Sequence, residues 1–140
     1  MKGDIPDKDH ISRYCGPKTI REDGKIGASA FILRESEESL SVNWLEYLNC
    51  SSRESEIAEI RRVYSLKLDV RAKAKLAVLN VGEMSNKVKN ESPDRRSLYV
   101  LHEKENNDPS HSGIYNLKPD NESIANLIFK TILESYSARK

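Results

Sequence analysis

The run SLYVLHEKENNDPSHSGIYNLKP, Ser97 to Pro119, decides how the chain is read. Its opening, Leu98-Tyr99-Val100-Leu101, is short, apolar and rich in strand-forming residues, and His102 follows at once. That pattern predicts a buried strand over 98–102. A polar turn then leads to Asp108-Pro109-Ser110-His111-Ser112-Gly113, where Asp and Ser beside Pro and Gly predict a turn held by local side-chain hydrogen bonds. Two of the three histidines lie in this segment. Rigid strands with variable loops at their ends are where sites collect, so a ligand pocket is expected here first.

Downstream, Pro119-Asp120 opens the last element, with Asp120 or Asn121 as cap. Ile124, Ala125, Ile128, Phe129, Ile132, Leu133 and Tyr136 share one helical face, which predicts an amphipathic helix clamped behind the sheet. Burying that face at ~25 cal/mol per Å2 stabilises a helix that would be marginal alone.

Upstream, Leu76–Val81 is apolar on both sides and predicts a central strand. Gly82-Glu83 should end it, and residues 84–97 read as a long polar connection turning at Pro93-Asp94. The 98–102 strand is then expected to lie antiparallel to 76–81. Leu66 to Val78 alternate apolar with Lys67, Asp69, Arg71, Lys73 and Lys75, which predicts one long half-buried strand or two meeting near Ala72, with a helix through 69–77 as the alternative because Ala and Lys are weak strand formers. Ser51-x-x-Glu54 is a capping-box pattern, and Ile57, Ile60, Val63 and Tyr64 follow at helical spacing, so a helix is expected over 53–65. Leu40, Val42 and Trp44 alternate with Ser41 and Asn43 as a strand, leading to a helical turn through Leu45 and Leu48. Ile26 to Leu33 reads as its hairpin partner, preceded by a tight Asp23-Gly24 turn. Residues 1–12 read as an irregular arm. The expected fold is a single α+β domain over 1–140, with a mostly antiparallel sheet of four to five strands and two main helices packed on one face.

Composition narrows the class. The chain has 140 residues, 37% hydrophobic and 32% charged, enough to bury a core. Its 23 basic and 22 acidic groups nearly cancel, so net charge selects neither nucleic acid nor membrane. The charges are nonetheless split. Glu35, Glu37, Glu38, Glu46, Glu54, Glu56 and Glu59 face only Arg53 in sequence, while Arg61, Arg62, Lys67, Arg71, Lys73 and Lys75 face only Asp69. No apolar h-region opens the chain and no run approaches the ~18 residues of a membrane span. Two cysteines, Cys15 and Cys50, imply no disulfide framework, which points to a cytoplasmic protein with free thiols.

Chemistry centres on the histidines. His111, His102 and His10 are candidate acid–base residues, since imidazole titrates near neutral pH. Arg13, Tyr14 and Ser110 are candidate ligand-binding residues, Arg13 or Arg21 offering a guanidinium fork for phosphate. Lys67, Arg71, Lys73 and Lys75 form a candidate anion or nucleic-acid patch on one strand face. No Cys/His zinc spacing, phosphate loop or nucleophile elbow occurs, so neither metal nor cofactor is expected. Cys50, at a helix start, reads as structural, and Cys15 has no base beside it in sequence. His10–Cys15 followed by Asp23-Gly24-Lys25 and a predicted strand resembles the opening of ADP-ribosyltransferase-like domains. That resemblance implies a later catalytic glutamate, and none stands in a matching context, so no family is assigned. Two functions are expected: a small binding or accessory protein whose ligand pocket is the 97–119 loop, or a metal-independent enzyme for a nucleotide or phosphodiester. The partner is then another protein or a phosphate-containing ligand, with nucleic acid left open by the basic patch and no membrane.

Overall fold

The computed structural model describes residues 3–139. One antiparallel sheet threads them, built from β1 (Gly3–Asp4), β2 (His10–Cys15), β3 (Ser39–Trp44), β4 (Lys75–Asn80), β5 (Tyr99–His102), β6 (His111–Tyr115) and β7 (Glu134–Ser137), in the order β1-β5-β6-β3-β2-β4-β7. Three α-helices accompany it: α1 (Arg53–Lys67), α2 (Val81–Glu91) and α3 (Glu122–Phe129). No described helix is long and apolar enough to cross a membrane.

The helices divide between the two faces. On the first face, Ile11, Leu40, Val42, Leu79 and Ile114 from the sheet pack with Met84 and Val88 of α2, Ile124 and Ile128 of α3, and Phe31 from a 3-10 turn over Ala28–Phe31. On the second face, α1 sends Ile57, Ile60 and Tyr64 against Tyr14, Leu76, Val78 and Tyr136, which belong to β2, β4 and β7. Helix α1 therefore covers only one half of that face. Among the described residues, no helix packs over the β3-β6-β5 half.

Several expectations change. The sheet has seven strands and three helices, and the helices lie on both faces. The arm of residues 1–12 contains β1, a buried Ile5 and the start of β2. Ile26–Leu33 is no strand: Gly27, Ala28, Ser29 and Ala30 wind into the 3-10 turn, which lies over the first face and buries Phe31, and β3 pairs with β2 and β6 instead. Leu66 and Lys67 finish α1, and the chain turns through 68–74 before β4 begins. Leu66 is 70% exposed there, so its alternation did not mark a buried face. Ala, Leu and Lys are better helix than strand formers, and no neighbouring strand was there to pair.

The polar connection after Leu79 contains α2, capped by Asn80, whose side chain accepts from the Glu83 amide, and buried through Val81, Met84 and Val88. Strand β4 sits between β2 and β7, not beside β5, which pairs with β1 and β6. The 111–115 stretch is itself a strand. The final helix stops at Phe129, and Leu133 to Ala138 return along β4, whose open edge offers a ladder to residues 134–137.

Candidate functional site

Side chains on the uncovered half-face follow from register, because residues opposite one another in an antiparallel ladder point the same way. Tyr99 pairs with Tyr115, and Tyr115 with Ser39. The next row is Asp4, Leu101, Gly113 and Ser41. A third follows with Glu103, His111 and Asn43, the Glu103 amide donating to the His111 carbonyl at 2.8 Å. Gly113 is thus the middle of the array, and its missing side chain makes room for a neighbour. Over it lies the Glu103 carboxylate, which accepts from the Tyr115 hydroxyl. A Cβ on Gly113 would come within 2.6 Å of Glu103 Oε1 and 2.8 Å of Ser39 Oγ, so only glycine leaves room for this arrangement. Tyr99 is 54% exposed beside it.

The third row is tied down from below. Asn43, fully buried, donates to Asp108 Oδ1 at 2.7 Å and to Ser110 Oγ at 2.9 Å, and accepts from the Tyr64 hydroxyl at 3.1 Å. Lys67 Nζ reaches Asp108 Oδ2 at 2.8 Å, matching a carboxylate that is 1% exposed. Burial first, and then the Asp108 charge, push the Tyr64 phenol well above its ordinary value. These bonds fix the 105–110 loop to α1 and β3. Asp108 and Ser110 thus bond across the fold, where the sequence pattern suggested local turn contacts.

The predicted acid–base residues are dispersed. His102 pairs with Ser112, so its side chain lies on the first face, while His111 one residue away lies on the second. His102 Nε2 meets the Pro109 carbonyl at 2.7 Å, and the ring packs against Tyr47 at 4.5 Å and Trp44 at 5.2 Å. Rings that close fill the space between them and leave no slot for a further ring. His10 Nδ1 meets Glu46 Oε2 at 2.6 Å at the start of β2. Arg13 donates from Nε to the Ala30 carbonyl at 3.0 Å and from Nη1 to the Ser41 carbonyl at 2.9 Å, stapling the 3-10 turn to β3. It shares the first face with His102 but lies three strands away, about 14 Å at the usual strand spacing. Tyr14 stacks on Tyr64 at 4.9 Å, and Ser110 is buried.

His111 alone keeps a chemically suggestive neighbourhood. Its Nδ1 lies 3.1 Å from the Glu103 carbonyl and 3.7 Å from Glu105 Oε2, and its Nε2 lies 3.3 Å from Ser41 Oγ. A carbonyl can only accept, so Nδ1 carries the hydrogen in the neutral ring and Nε2 is left to accept from Ser41. The order serine, imidazole, carboxylate is that of a nucleophile relay. Acyl transfer also needs N–H groups aimed at the developing oxyanion, and the strand amides here lie in the sheet plane, within the ladder. Among the described residues the face therefore presents no amide pair to stabilise such a transition state.

The basic patch is not a strand face. Lys67 closes α1 and neutralises Asp108, Arg71 sits 3.5 Å from Asp69 in an exposed turn, Lys73 lies in the same turn, and only Lys75 is in a strand. A concavity of about 1070 Å3 runs along the outer flank of α1 between Leu48, Ala58, Val70 and Ala138. Two of its arginines already have acceptors: Arg62 forks onto Glu59, and Arg61 Nε donates to the Ser137 carbonyl at 2.9 Å. Among the described residues no cluster of three metal-ligating side chains occurs.

Asp4, Ser39, Ser41, Tyr99, Glu103, Gly113 and Tyr115 were not singled out from the sequence. The usable signal was the alternation Tyr99, Leu101, Glu103 facing His111, Gly113, Tyr115 across a loop, which becomes legible only once 111–115 is taken as a strand. Comparison with protein-family models, curated proteins and solved structures finds no match. The resemblance to ADP-ribosyltransferase-like domains gains no support, and the strand it required after Lys25 is the 3-10 turn.

Proposed function

We propose that this chain is a small cytoplasmic binding or accessory protein, a single α+β domain whose ligand surface is the open half-sheet centred on Gly113 and framed by the 97–119 segment. The observation that carries the reading is the half-face itself: a hydrogen-bonded ladder holds Tyr99, Tyr115, Glu103, Ser41 and His111 side by side, and among the described residues no helix packs over them. Open antiparallel faces are ordinarily polar, so a tyrosine left 54% exposed on this one is the departure that points to contact. A ladder tied beneath by Asn43, Asp108 and Lys67 presents these groups with little ordering cost on binding. The cytoplasmic setting is supported by two thiols that pair with nothing, Cys15 and Cys50.

Thermal-shift screening against nucleotides, oligonucleotides and charged peptides tests the proposal, using wild type, Tyr99→Ala and His111→Ala. The expected result is a ligand-induced shift in the wild type that Tyr99→Ala abolishes and His111→Ala reduces. Absence of any shift, or a shift indifferent to Tyr99 and removed by Arg61→Ala in the α1 groove, would contradict it.

A further inference from the structure

Among the described residues the sheet ends at β7, and the outer edge of that strand carries backbone groups that no described residue takes. The Ala138 amide donates to the Ala74 carbonyl at 2.9 Å, which makes 74 and 138 a bonded pair. Alternation then makes Leu76 with Tyr136, and Val78 with Glu134, the next bonded pairs. The amides and carbonyls of Ser135 and Ser137 are thereby turned away from β4. One of these four groups is occupied, because the Ser137 carbonyl accepts from Arg61 Nε at 2.9 Å. Left at the edge are both backbone groups of Ser135 and the amide of Ser137.

That remainder is self-complementary. Antiparallel pairing about a two-fold axis at Ser135 joins each Ser135 amide to the partner's Ser135 carbonyl, and it asks nothing of the occupied Ser137 carbonyl. An axis at Tyr136 would need that carbonyl and would displace Arg61. The Ser135 register also sets Tyr136 opposite the partner's Glu134, a hydroxyl beside an acceptor on the same face. A four-residue edge is too small alone, since a stable interface buries ~1,200 Å2 or more. Helix α1 supplies further area. It runs alongside β7, with Arg53 meeting Glu134 and Arg61 meeting Ser137, and Glu54, Ala58, Arg61 and Ser65 follow at helical spacing along that flank. The groove there continues through Leu68, 41% exposed, to Ala138 just after β7. A two-fold axis reverses one helix against the other, so Glu54 of each copy is carried towards the partner's Arg61. We infer that two copies of this chain pair edge to edge through β7 about Ser135, extending the sheet across the axis and setting the two α1 flanks side by side over the join. The β3-β6-β5 half-face lies away from this edge and stays free in such a dimer.

Sedimentation velocity on the full chain at about 10 and about 300 µM tests it, together with amide hydrogen exchange at both concentrations. The wild type should move from 15.9 kDa towards twice that mass, and the Ser135 amide should gain at least tenfold protection at the higher concentration. Ser135→Pro removes an amide that β4 does not use, and Glu54→Lys reverses an exposed charge on the helix. Each should weaken association at least tenfold, while Tyr99→Ala leaves it unchanged. A monomer at both concentrations overturns the inference and leaves the edge to a foreign strand. A dimer indifferent to both edge variants, or lost in Tyr99→Ala, overturns it by placing the contact elsewhere. If Ser135→Pro loses its far-ultraviolet circular dichroism, Glu54→Lys and the protection of the Ser135 amide decide.

Discussion

Asn43 and Ser12 face one another across β3 and β2 and are both buried, yet their hydroxyl and amide groups fare differently. Asn43 bonds Asp108, Ser110 and Tyr64, whereas Ser12 Oγ is the buried side-chain polar atom without a partner among the described residues. Removing a group that others depend on leaves them desolvated, while removing an unbonded hydroxyl costs nothing of that kind. Asn43→Ala should therefore lower stability by about 2–4 kcal/mol, since it strands a buried carboxylate and a phenol. Ser12→Ala should leave stability unchanged or raise it by up to about 1 kcal/mol. Urea unfolding of the two variants checks both. Cys15 allows a chemical test at the same scale. Burial pushes its thiol up to about 11, so it stays protonated and inert at pH 8. A thiol reagent at that pH should modify only Cys50, which is partly exposed. Mass spectrometry showing a second modified thiol in the folded protein would refute this. Little of it was legible beforehand: Asn43 sits at a polar position in an alternating strand, and only the arrival of Tyr64 from α1 buries it.

Helix α1 was legible almost to its ends, because Ile57, Ile60, Val63 and Tyr64 repeat at helical spacing and all are buried. Its cap is Ser52, whose side chain accepts from the Ser55 amide at 3.1 Å, one residue later than the Ser51-x-x-Glu54 pattern suggested. Ser52→Ala should cost about 1 kcal/mol, and Ser51→Ala should cost little, as thermal unfolding would show. Helix α2 was hidden because its 11 residues offer only Val81, Met84 and Val88 as buried side chains of any size, with Gly82 in the first turn. That glycine has a positional reason. A Cβ there would stand 2.9 Å from Asp7 Cβ and 3.0 Å from the Asp7 carbonyl, to which the Gly82 amide donates. The strand reading of Ile26–Leu33 failed for the opposite reason. An apolar run of that length is long enough for a buried strand, but it is equally suited to a lid that buries side chains without pairing its backbone. Strand β7 was absorbed into the final helix because Ile132, Leu133 and Tyr136 continue a helical spacing that ends physically at Phe129.

For the whole molecule, the α+β class and the antiparallel pairing were readable from alternation and punctuation, but the side of the sheet on which each group lies was not. His102 and His111 stand at facing ends of one hairpin, and a register that pairs His102 with Ser112 sends the two imidazoles to opposite faces. A shift of one residue would reverse this, and nothing in the loop sequence fixes it. Burial of titratable groups also sets a global response to pH. Cys15 is raised from 9.0 to about 11 in the fold, so the unfolded chain releases its proton first. Stability is then fully present below pH ~9 and falls as pH rises towards ~11, by about 3 kcal/mol for a change of this size. Tyr64 acts in the same direction at still higher pH. Urea midpoints measured at pH 8 and pH 10.5 should fall with pH, and the fall should shrink in Cys15→Ala. The account as a whole depends on which side of the second face meets a ligand, and amide chemical-shift mapping during titration with the nucleotide, oligonucleotide or charged peptide that shifts the melting temperature measures that directly. The predicted result is perturbation concentrated at Ser41, Tyr99, Leu101, Gly113 and Tyr115; shifts gathered instead at Ala58, Arg61, Val70 and Ala138 would contradict it.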